Sequence, residues 1–372
     1  MGLGATKYPI HIRAMAGARL NFFSLLIAVT LGLAAHALIG YHPFPLGDDF
    51  AYAPLADFRS DNSLFARDEQ LKLFENHALV YELLYFFGKS GPGVEQVFRI
   101  GIWIIAITVA VSLFVILTRF KAPLAALPAV LALAVVVKID GLGRGDYGGM
   151  IASFFHHHNI ALALCMVATA AAVWRKSWLA GAALGLAAYA QPMTAFHGAL
   201  AVGLGTFFMQ PRNAFKMALV AIVIAFPAAL VVLGGIFESS NVTTQVLADP
   251  INEAYRFRAP HHYDPPWSSV GLTTLYLLTG WTGAIILRKL DRQMALFSIG
   301  VLTALSLLHT VTLIVYKGGI GEWLPFFILD ANRSSPLAFT LSTVFATAAL
   351  SQAKTTVNIA AVSILLVAIV VL

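Results

Sequence analysis

The chain has 372 residues, of which 59% are hydrophobic and only 11% are charged, and its formal net charge is +6. A water-soluble domain carries about a quarter of charged residues, so the composition excludes an ordinary soluble protein. The basic residues are scattered in pairs, without a dense run or interleaved aromatic residues, which excludes a typical nucleic-acid-binding surface.

Apolar runs of roughly 18 to 24 residues recur along the chain, and each is long enough to cross a ~30 Å hydrocarbon core as a helix. We therefore predict an all-α polytopic membrane protein, a single transmembrane domain over 1–372 with about eleven transmembrane helices. The first run ends near a small-x-small pattern typical of signal peptides, but its length favours an uncleaved span. The predicted spans are 21–40, 97–118, 122–138, 151–173, 177–191, 194–210, 215–234, 269–287, 294–316, 335–350 and 355–372.

The charge distribution predicts which ends of these spans face the cytoplasm. With the N-terminus in the cytoplasm, short cytoplasmic segments hold 13 of the 24 basic residues, as the positive-inside rule expects. The only acid in those segments is Asp291, and the other 17 of the 18 acids fall on the opposite side or at its edge. This pattern predicts a multi-pass protein of the cell inner (cytoplasmic) membrane, with its polar chemistry on the outer face.

Three outer segments are predicted to be large enough to carry function, namely 42–96, 235–268 and 317–334. The first outer loop, 42–96, places leucine and phenylalanine near helical spacing among charged residues, which predicts amphipathic helices on the membrane surface. The second, 235–268, is a basic loop rich in arginine and histidine. In addition, spans five and six are short and meet at 191–194, a pattern typical of helices that line a cavity.

The stretch Gly47-Asp48-Asp49-Phe50 follows the first span by a few residues. Because neighbouring carboxylates repel each other, one of them is more readily protonated near neutral pH. In its ionised form such a carboxylate can act as a general base and take the proton of a hydroxyl group. The pair Asp48 and Asp49 is equally suited to holding a divalent cation such as Mg²⁺ or Mn²⁺, and no other cofactor is indicated. The competing interpretation is a solvated turn without chemistry.

A phosphate-binding constellation is predicted in the 235–268 loop. It consists of Arg256, Arg258, His261 and His262. Arginine binds phosphate through two parallel hydrogen bonds, and histidine adds a donor whose charge responds to pH. Arg333, at the start of the tenth span, is a second candidate for the same phosphate, with an ion pair to Asp330 as the alternative. The loop could instead contact lipid headgroups.

The run His156-His157-His158 precedes the fourth span. Consecutive helical residues point 100° apart, so these histidines cannot supply the three converging ligands that zinc needs, and no metal site is predicted. We expect one of the three to face the cavity and the rest to lie at the water interface, and His156 is the candidate for contact with the substrate or its phosphate. Arg144 either pairs with Asp146 or faces the substrate.

Three residues inside spans have simpler expected roles. Cys165 is the only cysteine, which excludes an internal disulfide and predicts a small packing residue. His197 and His309 are expected to be neutral and hydrogen-bonded to a neighbouring helix.

The layout resembles the GT-C superfamily of integral-membrane glycosyltransferases. The resemblance rests on the first span followed by Gly47-Asp48-Asp49, on Tyr81-Glu82-Leu83-Leu84-Tyr85, and on the glycine-rich span from Trp178 to Pro192. It covers roughly residues 15 to 340, and the pair is Asp-Asp where many members have Asp-Glu or Asp-x-Asp. It implies a polyprenyl-phosphate-linked sugar donor, a glycan, lipid or protein acceptor, and catalysis at the outer face of the bilayer.

Two other functions remain open from the sequence. A glycan polymerase or ligase acting on lipid-linked oligosaccharides would use the outer arginine and histidine residues without a carboxylate base. A transporter or flippase for lipid-linked sugars usually has paired repeats and charged groups at the bilayer midplane, whereas the charges here gather at one face.

Overall fold

The computed structural model is helical throughout the residues it describes, which are 22–39, 86, 93–127, 129–130, 133, 157–239, 267–314 and 331–352. The α-helices are α1 (Phe22–Ile39), α2 (Val94–Arg119), α3 (His157–Val173), α4 (Ser177–Ala190), α5 (Pro192–Met209), α6 (Pro211–Ser239), α7 (Trp267–Arg288), α8 (Arg292–Thr312) and α9 (Ser335–Gln352). Two 3₁₀ turns, Pro123–Ala125 and Ala331–Ser334, accompany them. No strand occurs in these ranges, so the predicted all-α class is confirmed there.

Each of the nine helices coincides with a predicted span, and the ends differ by a few residues. Within the described ranges, five helices are long and apolar enough to cross a membrane, namely α2, α5, α6, α7 and α8, and α1, α3 and α4 are shorter apolar helices. The total of about eleven crossings stays a prediction. The span predicted at 122–138 is described only in part, and 355–372 lies outside the described residues.

The predicted outer segments are described only at their edges. Most of the first outer loop, 42–96, lies outside the described residues, and α2 already begins at Val94. The structure continues α6 through Ser239, a few residues past the predicted start of the second segment at 235. The single-domain organisation stays a prediction.

Contacts among the helix ends define two opposite ends of the bundle. At the first, which we call the basic end, the α3–α4 and α7–α8 connections meet the C-terminal ends of α2 and α9. The contacts join Arg119 to Asp291 (3.7 Å), Arg175 to Gln293 (2.6 Å) and Gln352 to the carbonyl of Phe120 (2.5 Å). The opposite end, which we call the histidine end, contains the starts of α2, α3, α5 and α7, the ends of α1 and α8, and the 3₁₀ turn Ala331–Ser334. The segments that are predicted to be cytoplasmic and that the structure describes therefore lie at one end.

Glycines bring several helix pairs into close backbone contact. A Cβ atom on Gly300 of α8 would lie 2.5 Å from the carbonyl oxygen of Leu204 and 2.7 Å from the Cα of Gly205, both on α5. A Cβ atom on Gly283 of α7 would lie 2.7 Å from the carbonyl carbon and oxygen of Phe345 on α9. Small residues are the usual means by which membrane helices approach each other, because lipid supplies no hydrophobic force between them.

The glycine-rich span of the sequence has the same structural role. On α4, Gly181 and Gly185 are four residues apart and therefore lie on one face. A Cβ atom on Gly185 would lie 2.6 Å from the Cβ of Ile224 on α6, and the Tyr189 hydroxyl donates to the carbonyl of Ile224 at 2.9 Å. The pattern that resembled the glycosyltransferase family is thus accounted for by the packing of α4 on α6.

Helix α9 is covered on all sides, and every residue from Ser335 to Ala349 is buried. Hydroxyl groups on this helix, those of Thr340, Ser342 and Thr343, have no hydrogen-bond partner among the described residues. Buried polar groups normally have partners, because an unsatisfied one costs roughly 1–3 kcal/mol. The interior of the bundle therefore offers hydrogen-bonding capacity that the described chain does not use.

Two connections between helices consist of one extended glutamine followed by proline. Gln191 links α4 to α5, and Gln210 links α5 to α6, with φ and ψ of −156° and 105° and of −158° and 93°. A residue before proline is driven out of the helical region, so each Gln-Pro pair ends one helix as the proline starts the next. The side-chain oxygen of Gln191 then accepts from the backbone N–H of Thr194 at 2.6 Å and caps α5.

Two other helices end on a basic residue in the left-handed conformation. Lys121 after α2 has φ 59°, and Arg175 after α3 has φ 60°. The N–H of Ala122 donates to the carbonyl of Leu117 at 2.8 Å, and this hydrogen bond terminates α2. This closure is usually made at a glycine, because a side chain makes the left-handed region costly.

Candidate functional site

Buried histidines and hydroxyls connect the helices at the histidine end. The first connection joins α3 to α5, where Nδ1 of His158 lies 2.6 Å from the hydroxyl of Thr194. His158 is completely buried, and Thr194 is held in position by the Gln191 cap on its backbone N–H. The Gln-Pro corner therefore fixes the hydroxyl that the histidine contacts.

Cys165 completes this first cluster. Its thiol donates to the carbonyl of Thr194 at 3.8 Å, and the side chain is fully buried on α3. Gly198 on α5 leaves the space that the sulfur occupies. The prediction of a small packing residue is confirmed, and nothing in these contacts activates the thiol.

The second connection joins α7 to α8. Nε2 of His309 lies 2.8 Å from the hydroxyl of Thr274, and that hydroxyl also donates to the carbonyl of Val270 at 2.9 Å. A hydroxyl has one proton, and that of Thr274 is donated to the carbonyl of Val270. The oxygen of Thr274 therefore accepts a hydrogen bond from the N–H at Nε2 of His309. The predicted interhelical hydrogen bond of His309 is confirmed, and its partner fixes the tautomer.

Arg333 is the one predicted site residue within the described ranges. It lies half-buried in the 3₁₀ turn Ala331–Ser334, whose Ser334 hydroxyl donates to the carbonyl of Ala331 at 2.7 Å. This turn leads into α9 and packs against α5 and α8, the helices that carry His197 and His309. A guanidinium group is therefore positioned at the histidine end, and its contact with phosphate stays a prediction.

The remaining predicted site residues lie outside the described residues. They are Asp48, Asp49, Arg144, His156, Arg256, Arg258, His261 and His262. The convergence of the acidic pair with the arginine and histidine segment therefore stays a prediction.

One expectation about the histidine run is wrong. We expected two of the three histidines to lie at the water interface, but the exposed fractions of His157 and His158 are 7% and 0%. Both fall in the first turn of α3, which packs against α2, α4 and α5 and so removes these side chains from solvent. Within the described ranges, no group of three histidine, cysteine, aspartate or glutamate residues is arranged to hold a metal ion.

Sequence reasoning missed the partners of these histidines. Thr194 carried a usable signal, because a side chain that can cap a helix, Gln191, stands three residues before it with proline between. Thr274 carried none, since its contact with His309 depends on the register between α7 and α8.

Near the end of α1, His36 provides a further contact at the histidine end. It is buried, and its ring centroid lies 5.7 Å from that of Trp103 on α2. The C-terminal end of α1, from which the acidic stretch continues, is thereby held against α2.

No known protein family, curated protein or solved structure matches this chain.

Proposed function

We propose that this chain is a membrane glycosyltransferase of the GT-C type, which transfers a sugar from a polyprenyl-phosphate donor to a glycan, lipid or protein acceptor. The reaction takes place at the outer face of the cytoplasmic membrane, with the N-terminus inside the cell. The bilayer is part of the site, because the donor enters laterally between helices with its polyprenyl tail in lipid.

One observation carries this proposal: every segment with predicted site chemistry joins a helix at the histidine end. Asp48 follows the last residue of α1 by nine positions, His156 directly precedes α3, and His262 precedes α7 by five positions. Because the chain spans at most about 3.6 Å per residue, these groups are tethered within about 30 Å of the helix ends they follow or precede. Arg333 lies at the same end.

The chemistry follows from the residue types. The acceptor hydroxyl oxygen bonds to the anomeric carbon, and its proton passes to Asp48 or Asp49. The bond between that carbon and the phosphate oxygen breaks, and the polyprenyl phosphate leaves with the electron pair. Donors such as Arg256 and Arg258 stabilise the negative charge that develops on this leaving group. His261, His262 and Arg333 supply further donors, and attack opposite the leaving group inverts the anomeric centre.

The test uses purified protein and a panel of labelled polyprenyl-phosphate sugars. One donor is expected to support transfer, and Asp48→Asn and Asp49→Asn are expected to lower the rate by at least the roughly hundredfold typical of a lost general base. The matched control is Glu95→Gln, which also replaces a carboxylate at the histidine end but on an exposed surface. If the acidic pair holds a cation, chelation of Mg²⁺ and Mn²⁺ is expected to stop the transfer. If the pair acts only as a proton acceptor, chelation is expected to leave the transfer unchanged.

Arginine is tested in the same assay. Arg333→Gln is expected to reduce turnover of the donor, whereas Arg99→Gln, an exposed arginine at the same end, is expected to leave it unchanged. Full transfer by the Asp48→Asn and Asp49→Asn variants would favour the polymerase or ligase. Accumulation of lipid-linked sugar on the inner leaflet after loss of the protein would favour the flippase.

A further inference from the structure

A cationic cleft lies at the basic end, on the opposite side of the bundle from the proposed catalytic chemistry. It has a volume of about 400 Å³ and is formed between the α3–α4 turn and the start of α6. Among the residues that the structure describes, its polar lining comes from Arg175, Lys176, Ser177, Asn213 and Lys216, and includes no carboxylate. An anion that enters this cleft therefore meets positive charge without an opposing acid.

Two of the cations that line the cleft, Lys176 and Lys216, are available to bind such an anion. Among the described residues, the ion pairs are those of Arg99 with Glu95 and Arg119 with Asp291, so Lys176 and Lys216 have no acidic partner. Arg175 differs, because its Nη2 donates to Gln293 at 2.6 Å. That bond fixes the α3–α4 turn against α8 and holds the wall of the cleft in place.

The surface beside the cleft is apolar and exposed. Trp178 and Leu179, in the first turn of α4, are 67% and 56% exposed, and on α6 Phe215 and Leu219 are 70% and 62% exposed. Exposed apolar side chains continue along the face of α6 that does not pack on α4, and few of the first twenty residues of α6 are fully buried. Tryptophan beside basic residues at the end of an apolar helix is the arrangement found at the headgroup level of a bilayer.

We propose that this cleft binds the headgroup of an anionic phospholipid in the cytoplasmic leaflet. Lys176 and Lys216 contact the phosphate, Trp178 lies at the glycerol level, and the acyl chains run along the exposed face of α6. Charge decides between lipid classes, because a zwitterionic headgroup carries its own cation and gains less from two lysines. The position of the cleft directly above an exposed apolar helix favours a lipid over a soluble phosphate.

The test is lipid retention by native mass spectrometry of the full-length protein, with phosphatidylglycerol and phosphatidylcholine as probes. Each lysine near an anionic surface changes affinity by about fivefold, so the Lys176→Gln/Lys216→Gln double variant is expected to retain phosphatidylglycerol roughly twenty-five-fold less well. The matched control is Arg288→Gln/Lys289→Gln, which removes two charges from the same end outside the cleft and is expected to retain the lipid.

Three results would overturn the proposal: equal retention of both lipids by the unmodified protein, unchanged retention by the Lys176→Gln/Lys216→Gln variant, or equal loss in both variants. If the double variant does not fold, the single lysine variants serve, each with an expected fivefold loss. In phosphatidylcholine nanodiscs, stabilisation by inorganic phosphate equal to that by phosphatidylglycerol would identify a soluble-anion site instead.

Discussion

The contact between α5 and α8 gives the sharpest stability prediction, because it is made by backbone atoms. Substituting Gly300→Ala would place a Cβ atom 2.5 Å from the carbonyl oxygen of Leu204 and 2.7 Å from both the carbonyl carbon of that residue and the Cα of Gly205. Carbon and oxygen normally approach to about 3.3 Å, so the helices would have to separate by roughly 0.8 Å. No rotamer change relieves the clash, because every contacted atom belongs to the backbone.

The expected magnitude combines two opposing effects. Overpacking of a tight contact costs about 1–3 kcal/mol, whereas alanine improves helix propensity over glycine by about 1 kcal/mol. For a clash with backbone the upper half of that range applies, so we expect Gly300→Ala to lower the free energy of unfolding by about 1–2 kcal/mol. Gly203 on α5 is the matched control, because an added Cβ there meets no described atom within 4 Å. Gly203→Ala keeps only the gain in propensity and is expected to be neutral or stabilising by up to ~1 kcal/mol.

The assay is reversible unfolding in mixed micelles with increasing denaturing detergent, compared at one lipid composition. The two substitutions add the same methyl group to transmembrane helices, so the reasoning predicts changes of opposite sign or of clearly different size. If Gly300→Ala proved as stable as Gly203→Ala, the close approach of α5 and α8 would be refuted.

Three further predictions concern single contacts and use the same unfolding assay. Lys121→Gly is expected to raise the free energy of unfolding by about 1 kcal/mol, because glycine removes the strain of the left-handed residue after α2, and a loss of stability would contradict this. Thr274→Val is expected to cost about 0.6–1.7 kcal/mol, and a double-mutant cycle with His309→Leu should recover most of it as coupling energy. Thr194→Val should cost a similar amount, because it removes the contact with His158. A coupling energy near zero, either between Thr274 and His309 or between Thr194 and His158, would argue against the hydrogen bond concerned.

The positions of the helices could be predicted from the sequence because each apolar run is bounded by charged or proline-containing segments. Gln191-Pro192 and Gln210-Pro211, for example, mark two helix boundaries to within a residue or two. What the runs do not encode is which helix contacts which. The complete burial of α9 follows from its neighbours, although its many hydroxyl groups were a sign that lipid would not surround it.

Of the predicted site residues, Arg333 alone falls within the described ranges, so the composition of the site stays a prediction. Arg333 lies where the sequence predicts a basic group, because charge marks the ends of spans. Two of the three consecutive histidines were expected at the water interface, whereas His158 is completely buried. Its burial depends on the packing of α3 and on the position of Thr194, which local sequence does not specify.

The central claim is that the acidic pair and the basic loop share one outward-opening pocket, and cross-linking tests it most directly. Cys165 is the only native cysteine, so a Cys165→Ala background leaves the introduced pair Asp49→Cys and Arg258→Cys as the only thiols. A bifunctional maleimide with a reach of about 10 Å, the extent of a sugar plus a phosphate, is predicted to join them in native membranes. The control pair of Asp49→Cys with Lys289→Cys, at the basic end, is predicted to remain unlinked. Labelling of positions 49 and 258 from opposite sides of the membrane, without a cross-link, would contradict the account.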